Sequence, residues 1–111
     1  MAANIVELVE LNALLPQGAC LFGVDLGDKT IGLALSDIRR TIASPFETLK
    51  RTKFRADAER LLELARRHNV GGFVIGLPRN MDGSEGPRAQ STRAFVRNLS
   101  PMTEHPIAFW D

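Results

Sequence analysis

The sequence predicts an α/β fold: a mixed sheet of three antiparallel strands followed by parallel strands, with helices on its faces. Three observations predict it. Two alternating runs, 19–26 and 30–37, are separated only by Gly27-Asp28-Lys29, which is hairpin spacing. Two stretches, 54–68 and 87–99, repeat apolar residues at helical intervals. Between them lies the apolar run Gly71 to Leu77, as expected of a strand buried on both faces. The order strand, strand, strand, helix, strand, helix, strand then requires right-handed crossovers that lay the helices on the sheet.

Each element has its own signal. Residues 4–15 read as a short amphipathic helix or arm, ended by Pro16 and Gly18, so 1–18 precede the domain proper at 19–111. Residues 19–26 form the first strand. Gly and Asp in the following turn tolerate hairpin dihedrals. In 30–37, Ile31, Leu33 and Leu35 alternate with Gly32, Ala34 and Ser36, giving one bulky and one small face. Asp37 to Arg40 turn the chain into a looser third strand, about 41–49, where Pro45 suits an edge or a bulge. Phe54, Ala58, Leu61, Leu62 and Ala65 mark the first long helix. Thr52 is its expected N-cap, and Arg66, Arg67 and His68 suit its C-terminal dipole. Pro87 fits the first turn of the second long helix. Pro106 to Trp110 read as a last short strand.

Length and composition narrow the function. The 111 residues fit one domain with a modest core. Fourteen basic against thirteen acidic residues give a net charge of +1, so overall charge does not point to nucleic acid. The single cysteine, Cys20, excludes an internal disulfide framework and a multi-cysteine metal site. It reads as a small core residue, consistent with a reducing compartment. There is no leader and no apolar stretch long enough to span a bilayer, so a cytoplasmic protein without membrane partners is expected.

The run Gly23-Val-Asp25-Leu-Gly27 places a carboxylate inside an apolar strand. Gly23, Asp25 and Gly27 share one face, while Phe22, Val24 and Leu26 share the other. A carboxylate buried there is costly unless paired. The flanking glycines clear space for a phosphate or a hydrated cation. Alternatively, Asp25 ends a strand and satisfies backbone groups of the next turn.

The loop 78–86 leaves the end of the apolar strand and enters a helix, where α/β ligands gather. Its Asn80, Asp82 and Ser84 can contact a phosphate chain. Equally, Asp82-Gly83 makes a tight turn and Ser84 caps the helix. Arg39, Arg40, Lys50, Arg51, Lys53 and Arg55 form basic clusters, and Arg88, Arg93 and Arg97 lie on the second long helix. They can position nucleic-acid phosphates, though solvated surface charge is the commoner role. No aromatic interleaving marks a stacking platform. Neither His68 nor His105 has zinc or triad spacing.

Taken together, Gly23-Val-Asp25-Leu-Gly27-Asp-Lys29-Thr30-Ile-Gly32-Leu-Ala34-Leu-Ser36, then Gly76-Leu-Pro78-Arg-Asn80-Met-Asp82-Gly83, then Phe109-Trp110-Asp111 resemble the YqgF family in order and spacing. Its members are Holliday-junction-resolvase-like proteins, also described as pre-16S ribosomal RNA nucleases. The resemblance implies a ribonuclease H-like fold and phosphodiester hydrolysis with magnesium or manganese held by acidic side chains. It makes Asp25 the first catalytic acid and a metal ligand. Lys29 and Thr30 flank the site, and Arg79, Asn80, Asp82 and Ser84 touch substrate. The implied substrate is pre-ribosomal RNA, with branched DNA as the alternative and a non-catalytic nucleic-acid-binding module as a third reading. The actin-like ATPases share the Asp-x-Gly phosphate loop but need a far longer chain.

The family continues beyond the residue matching Asp111 with a glutamate, then Arg-Leu-Ser-Thr, then helical sequence carrying another acid. This sequence stops at Asp111. The expectation is therefore a domain incomplete at its C-terminus, a fragment or a shortened paralogue. Such a chain would be weakly active and prone to self-association through exposed parts of Phe109 and Trp110.

Overall fold

The computed structural model describes residues 4–40 and 43–110. Residues 1–3 of the expected arm, Thr41 and Ile42 of the expected third strand, and Asp111 of the last motif lie outside the described residues. In chain order the elements are α1 (Leu8–Leu14), β1 (Cys20–Leu26), β2 (Thr30–Ser36), β3 (Ala43–Lys50), α2 (Phe54–Arg67), β4 (Val70–Gly76), α3 (Pro87–Leu99) and β5 (Ile107–Trp110). A 3-10 turn at Ser100–Met102 leads into β5. The sheet order is β3-β2-β1-β4-β5. β1, β2 and β3 form an antiparallel meander, and β4 and β5 run parallel to β1. This is the predicted mixed arrangement, with β1 at its centre.

Strand alternation divides the sheet into two unlike faces. On one face Phe22, Val24, Ile31, Leu33, Phe73 and Ile75 pack against Ala58, Leu61 and Ala65 of α2 and Phe95, Val96 and Leu99 of α3. Each large side chain buried there contributes roughly 1.5–3 kcal/mol. The other face carries a smaller cluster, in which Leu11 and Leu15 cover Ala19 and Ala108. Gly71 and Gly72 make that second cluster possible. A Cβ on Gly71 would lie 3.0 Å from Ala19 Cβ, and one on Gly72 would lie 3.0 Å from Leu15 Cδ1.

Several local expectations are corrected. The expected helix over 4–15 is shorter. Ile5 bridges in parallel to Ile107, and Val6 N–H donates to the Ile107 carbonyl at 2.9 Å. The β-branched Ile5 and Val6 suit this extended strip. At the 27–29 turn, neither Gly27 nor Asp28 has a positive φ. Gly27 is instead needed for space, because a Cβ there would lie 3.2 Å from the Thr30 carbonyl oxygen.

Thr52 does not cap α2, since Lys53 occupies the N-cap with no side-chain bond. The polarity is reversed: the buried Asp57 accepts the Thr52 N–H at 3.0 Å and the Thr52 hydroxyl at 2.6 Å. Pro45 does sit on an edge strand at a register shift, opposite Ala34. Cys20 is buried.

Candidate active site

Asp25 lies next to the C-terminal end of β1, the middle strand. Its neighbours Val24 and Leu26 point into the core, and it faces the opposite way into a cleft of about 650 Å³. The sheet register lays one row of residues across this cleft. Thr48 pairs with Gly32, and Gly32 pairs with Asp25. Beyond the Val24–Ile75 pair the next residue on β4 is Gly76, which pairs with Trp110. All five line the cleft. The carboxylate therefore stands between two glycines in space, with Thr48 and Trp110 at the two sides.

The structure corrects both readings of this residue's surroundings. Asp25 is exposed, not buried, because its neighbours across the sheet are too small to cover it. Nor does it satisfy the following turn: its carboxylate takes no hydrogen bond or ion pair among the described residues. The glycines beside it are not demanded by packing. A Cβ at Gly32 or Gly76 would meet nothing closer than 3.8 Å, and neither has a positive φ. What they leave is open floor beside a carboxylate that has no partner among the described residues. That suits one ligand position for a divalent cation, with room for its water. No three Asp, Glu, His or Cys side chains converge as a metal site among the described residues, so these residues fit one corner of such a site and not a whole one. Glu47 also borders the cleft, but its carboxylate lies 3.9 Å from Arg60 of α2.

The other predicted site residues divide. Because β4 is parallel to β1, the loop 77–86 leaves the same end of the sheet as the β1–β2 turn. Lys29 and Thr30 are exposed in and just after that turn. None of Lys29, Thr30, Arg79, Asn80, Asp82 or Ser84 lines the Asp25 cleft. Within the loop, the Ser84 N–H and hydroxyl donate to Asp82 at 2.9 and 2.6 Å. The Ser84 hydroxyl hydrogen bond, with help from the backbone N–H, holds the Asp82 carboxyl below its ordinary value. Gly83 takes φ +87° in this turn. Ser84 is thus spent on Asp82 and does not cap α3, whose N-cap is Gly86.

Sequence reasoning missed the role of the arginines. Arg51 donates to the Gly27 carbonyl at 2.6 Å and Arg88 to that of Leu26 at 3.2 Å. Both therefore brace the turn beside Asp25 rather than extending freely toward phosphates. Arg93 grips Glu85 with two bonds of 2.7 Å and lies 5.0 Å from the centre of the Phe109 ring. Arg79 approaches the same carboxylate at 3.7 Å. The Arg93 hydrogen bonds hold the Glu85 carboxyl below the usual range, with the charges of Arg93 and Arg79 adding to the effect. The available signal was Glu85 directly before a helix whose first two turns contain Arg93.

Comparison with known proteins agrees with this geometry. The chain is 60% identical over 111 residues to a protein of Beijerinckia indica named "Putative pre-16S rRNA nuclease", covering all of this chain and 67% of the relative. A relative of the same name in Ruegeria pomeroyi is 59% identical, with 71% of its length covered. The chain thus spans about two thirds of the length of these relatives. The structure of Thermus thermophilus RuvC superposes with a TM-score of 0.58 at 14% identity, over 82% of this chain and 63% of that one. The same protein in complex with a Holliday junction substrate gives 0.56 at 14% identity, over 83% and 64%. The sheet and its helices are therefore ribonuclease H-like, as the motifs implied. Residues 19–111 match the family described as RuvX, Holliday junction resolvase, and on that match and these identities the chain belongs to the RuvX family, a family of phosphodiester-cleaving hydrolases.

Proposed function

We propose that this protein acts as a metal-dependent nuclease in the 5′-end maturation of pre-16S ribosomal RNA, in the cytoplasm. The observation that carries the reading is Asp25: a carboxylate with no partner among the described residues, beside the C-terminal end of the central strand, over a floor of glycine. The names of the relatives supply the substrate class. Among the described residues no helix is long and apolar enough to cross a membrane.

In this reading Asp25 is the catalytic acid and a ligand of magnesium or manganese. The bound ion would activate water and stabilise the leaving oxygen. Arg51 and Arg88 hold the backbone of the turn that follows Asp25. Lys29, exposed near that turn, offers a cation to a substrate phosphate, and Thr30 offers a hydroxyl. Arg79, Asn80, Asp82 and Ser84 form a preshaped rim at the same sheet end, where substrate backbone would pass.

Branched DNA is the second reading, favoured by the family's description. The two separate in one assay on a full-length version, with a precursor RNA carrying the 5′ end of 16S RNA and a four-way DNA junction incubated in parallel with magnesium. Cleavage of the RNA alone is expected. Cleavage of the junction alone would transfer the activity to DNA. Binding without cleavage of either would make the domain a binding module.

A further inference from the structure

We propose that Arg88 is a positioning residue for the nuclease: it ties the end of the 77–86 loop to the backbone directly after Asp25. The inference rests on the nuclease reading and adds a residue that acts through the turn rather than on the substrate. Arg88 is the second residue of α3, just past the loop. It donates to the Leu26 carbonyl at 3.2 Å, across 62 positions of sequence. Strand pairing explains why that carbonyl is open to it. The Gly27 N–H donates to the Thr30 carbonyl at 2.8 Å, so this pair bonds across the hairpin. Bonded and non-bonded pairs alternate along an antiparallel ladder. Leu26, opposite Ile31, therefore turns its carbonyl away from β2 and toward the β4 side. The β1–β4 pairing ends at Val24–Ile75. Past that point β4 gives way to the loop, and Arg88 supplies a donor where the neighbouring strand has ended.

The link is held at both ends. The Arg88 carbonyl accepts the hydroxyl of the buried Thr92 at 2.9 Å. The Gly86 carbonyl accepts the Gln90 N–H at 3.1 Å, and Arg93 grips Glu85, so the last loop residues are fixed to the same helix. On the turn side, Arg51 gives its guanidinium to the Gly27 carbonyl and its own N–H to the Lys29 carbonyl at 2.9 Å. The Arg51 head also lies 5.9 Å from the centre of the Phe95 ring of α3. Two arginines from two elements thus clamp consecutive carbonyls. A guanidinium keeps its charge at every working pH, and its bonds are stronger than those of a neutral donor. Substrate lying on the loop would meet the acid at a set distance, and small displacements of a reacting group cost rate steeply.

The test uses a full-length version and the precursor RNA. Arg88→Met keeps an apolar stem and removes the donors, while Arg88→Lys restores a charged donor. Arg88 is exposed, so both variants are expected to fold, and urea unfolding checks this. A Met variant that fails to fold is replaced by Arg88→Gln under the same readouts. With magnesium and excess enzyme, Arg88→Met is expected to cleave roughly tenfold more slowly per folded molecule. Its affinity for the RNA without divalent metal stays near parental, and Arg88→Lys regains most of the rate. Hydrogen exchange at the Gly27 and Arg51 amides quickens in Arg88→Met, while the amides pairing β2 with β3 keep their rates. A parental cleavage rate per folded molecule overturns the proposal and leaves Arg88 a structural brace. Weaker RNA binding with a salt slope reduced by about 1 overturns it in favour of a phosphate contact. Unchanged exchange at the turn overturns it whether or not the protein cleaves. Failure of the nuclease reading looks different: Asp25→Asn would cleave at the parental rate while exchange at the turn still responds to Arg88→Met.

Discussion

The two faces of this sheet are built from the same strands and have opposite chemistry. Toward α2 and α3, β1 and β2 present Phe22, Val24, Ile31 and Leu33, all closed to solvent. Toward the cleft the same strands present Gly23, Asp25, Gly32 and Ala34. A period of two lets one strand serve both ends, since a change at one residue leaves its neighbours on the other face untouched. Packing is concentrated on the first face, and the proposed chemistry lies on the second. A mutation on one face should therefore move one property and spare the other.

The sharpest way to break that comparison is Asp25→Asn. In a full-length version, cleavage is expected to fall by about a hundredfold or more, the scale of losing one group that stabilises the transition state, with thermal unfolding nearly unchanged. Parental cleavage in a magnesium-containing assay would remove Asp25 from the chemistry. The mirror experiment is Phe73→Ala on the packed face. It should cost about 3–5 kcal/mol in urea unfolding, while any protein that stays folded retains its cleavage rate per folded molecule.

Gly32→Val sharpens the contrast by filling the cleft floor. The new side chain meets ordinary contacts at Asp25, and valine is favoured over glycine in strands by up to about 1 kcal/mol. Stability should hold or rise while cleavage drops roughly tenfold. A stability loss instead would mean that Gly32 serves packing.

The smallest expected effect lies outside both faces, at Glu85 and Arg93. Arg93 lowers the Glu85 carboxyl in the folded protein. The pair's contribution is therefore fully present above the unfolded carboxylate value and fades as pH falls through the folded one. Glu85→Gln should be slightly less stable than the parent at neutral pH, and the two denaturation curves should converge in acid. Divergence in acid would reverse the sign assigned here.

Much of the fold was legible in the sequence because periodicity carries it. The 2.0 and 3.6 repeats place β1, β2, α2, β4 and α3 within a residue or two, and Pro45 marks the edge. What periodicity cannot carry is who stands beside whom. Asp25 stood out in the sequence as a candidate acid from its glycine setting and its motif, yet its exposure was not legible. Exposure depends on Gly32 and Gly76, which reach it only through strand pairing. Trp110 is 85 residues from Asp25 in the chain, and only the parallel β4–β5 register brings them into one row. Ser84 and Thr52 failed as caps for a related reason. Each found a nearby aspartate, Asp82 and Asp57, that competes better for its hydroxyl.

The strip at residues 4–6 has a consequence for how the protein is made. The Asn4 side-chain amide donates to the carbonyls of Ser100, Thr103 and His105, and Ile5 docks beside Ile107. These partners lie about a hundred positions downstream. At ordinary translation speeds of ~5–20 residues per second, the first residues wait roughly 5–20 s for the segment that receives them. The β1–β2–β3 meander can form early from local pairings, while the far side of the sheet closes only when β5 has left the ribosome. Until then the carboxylate is in place but the opposite wall of its cleft is missing. Nascent chains would therefore carry the Asp25 carboxylate before the β4–β5 side of the sheet that borders its cleft has formed.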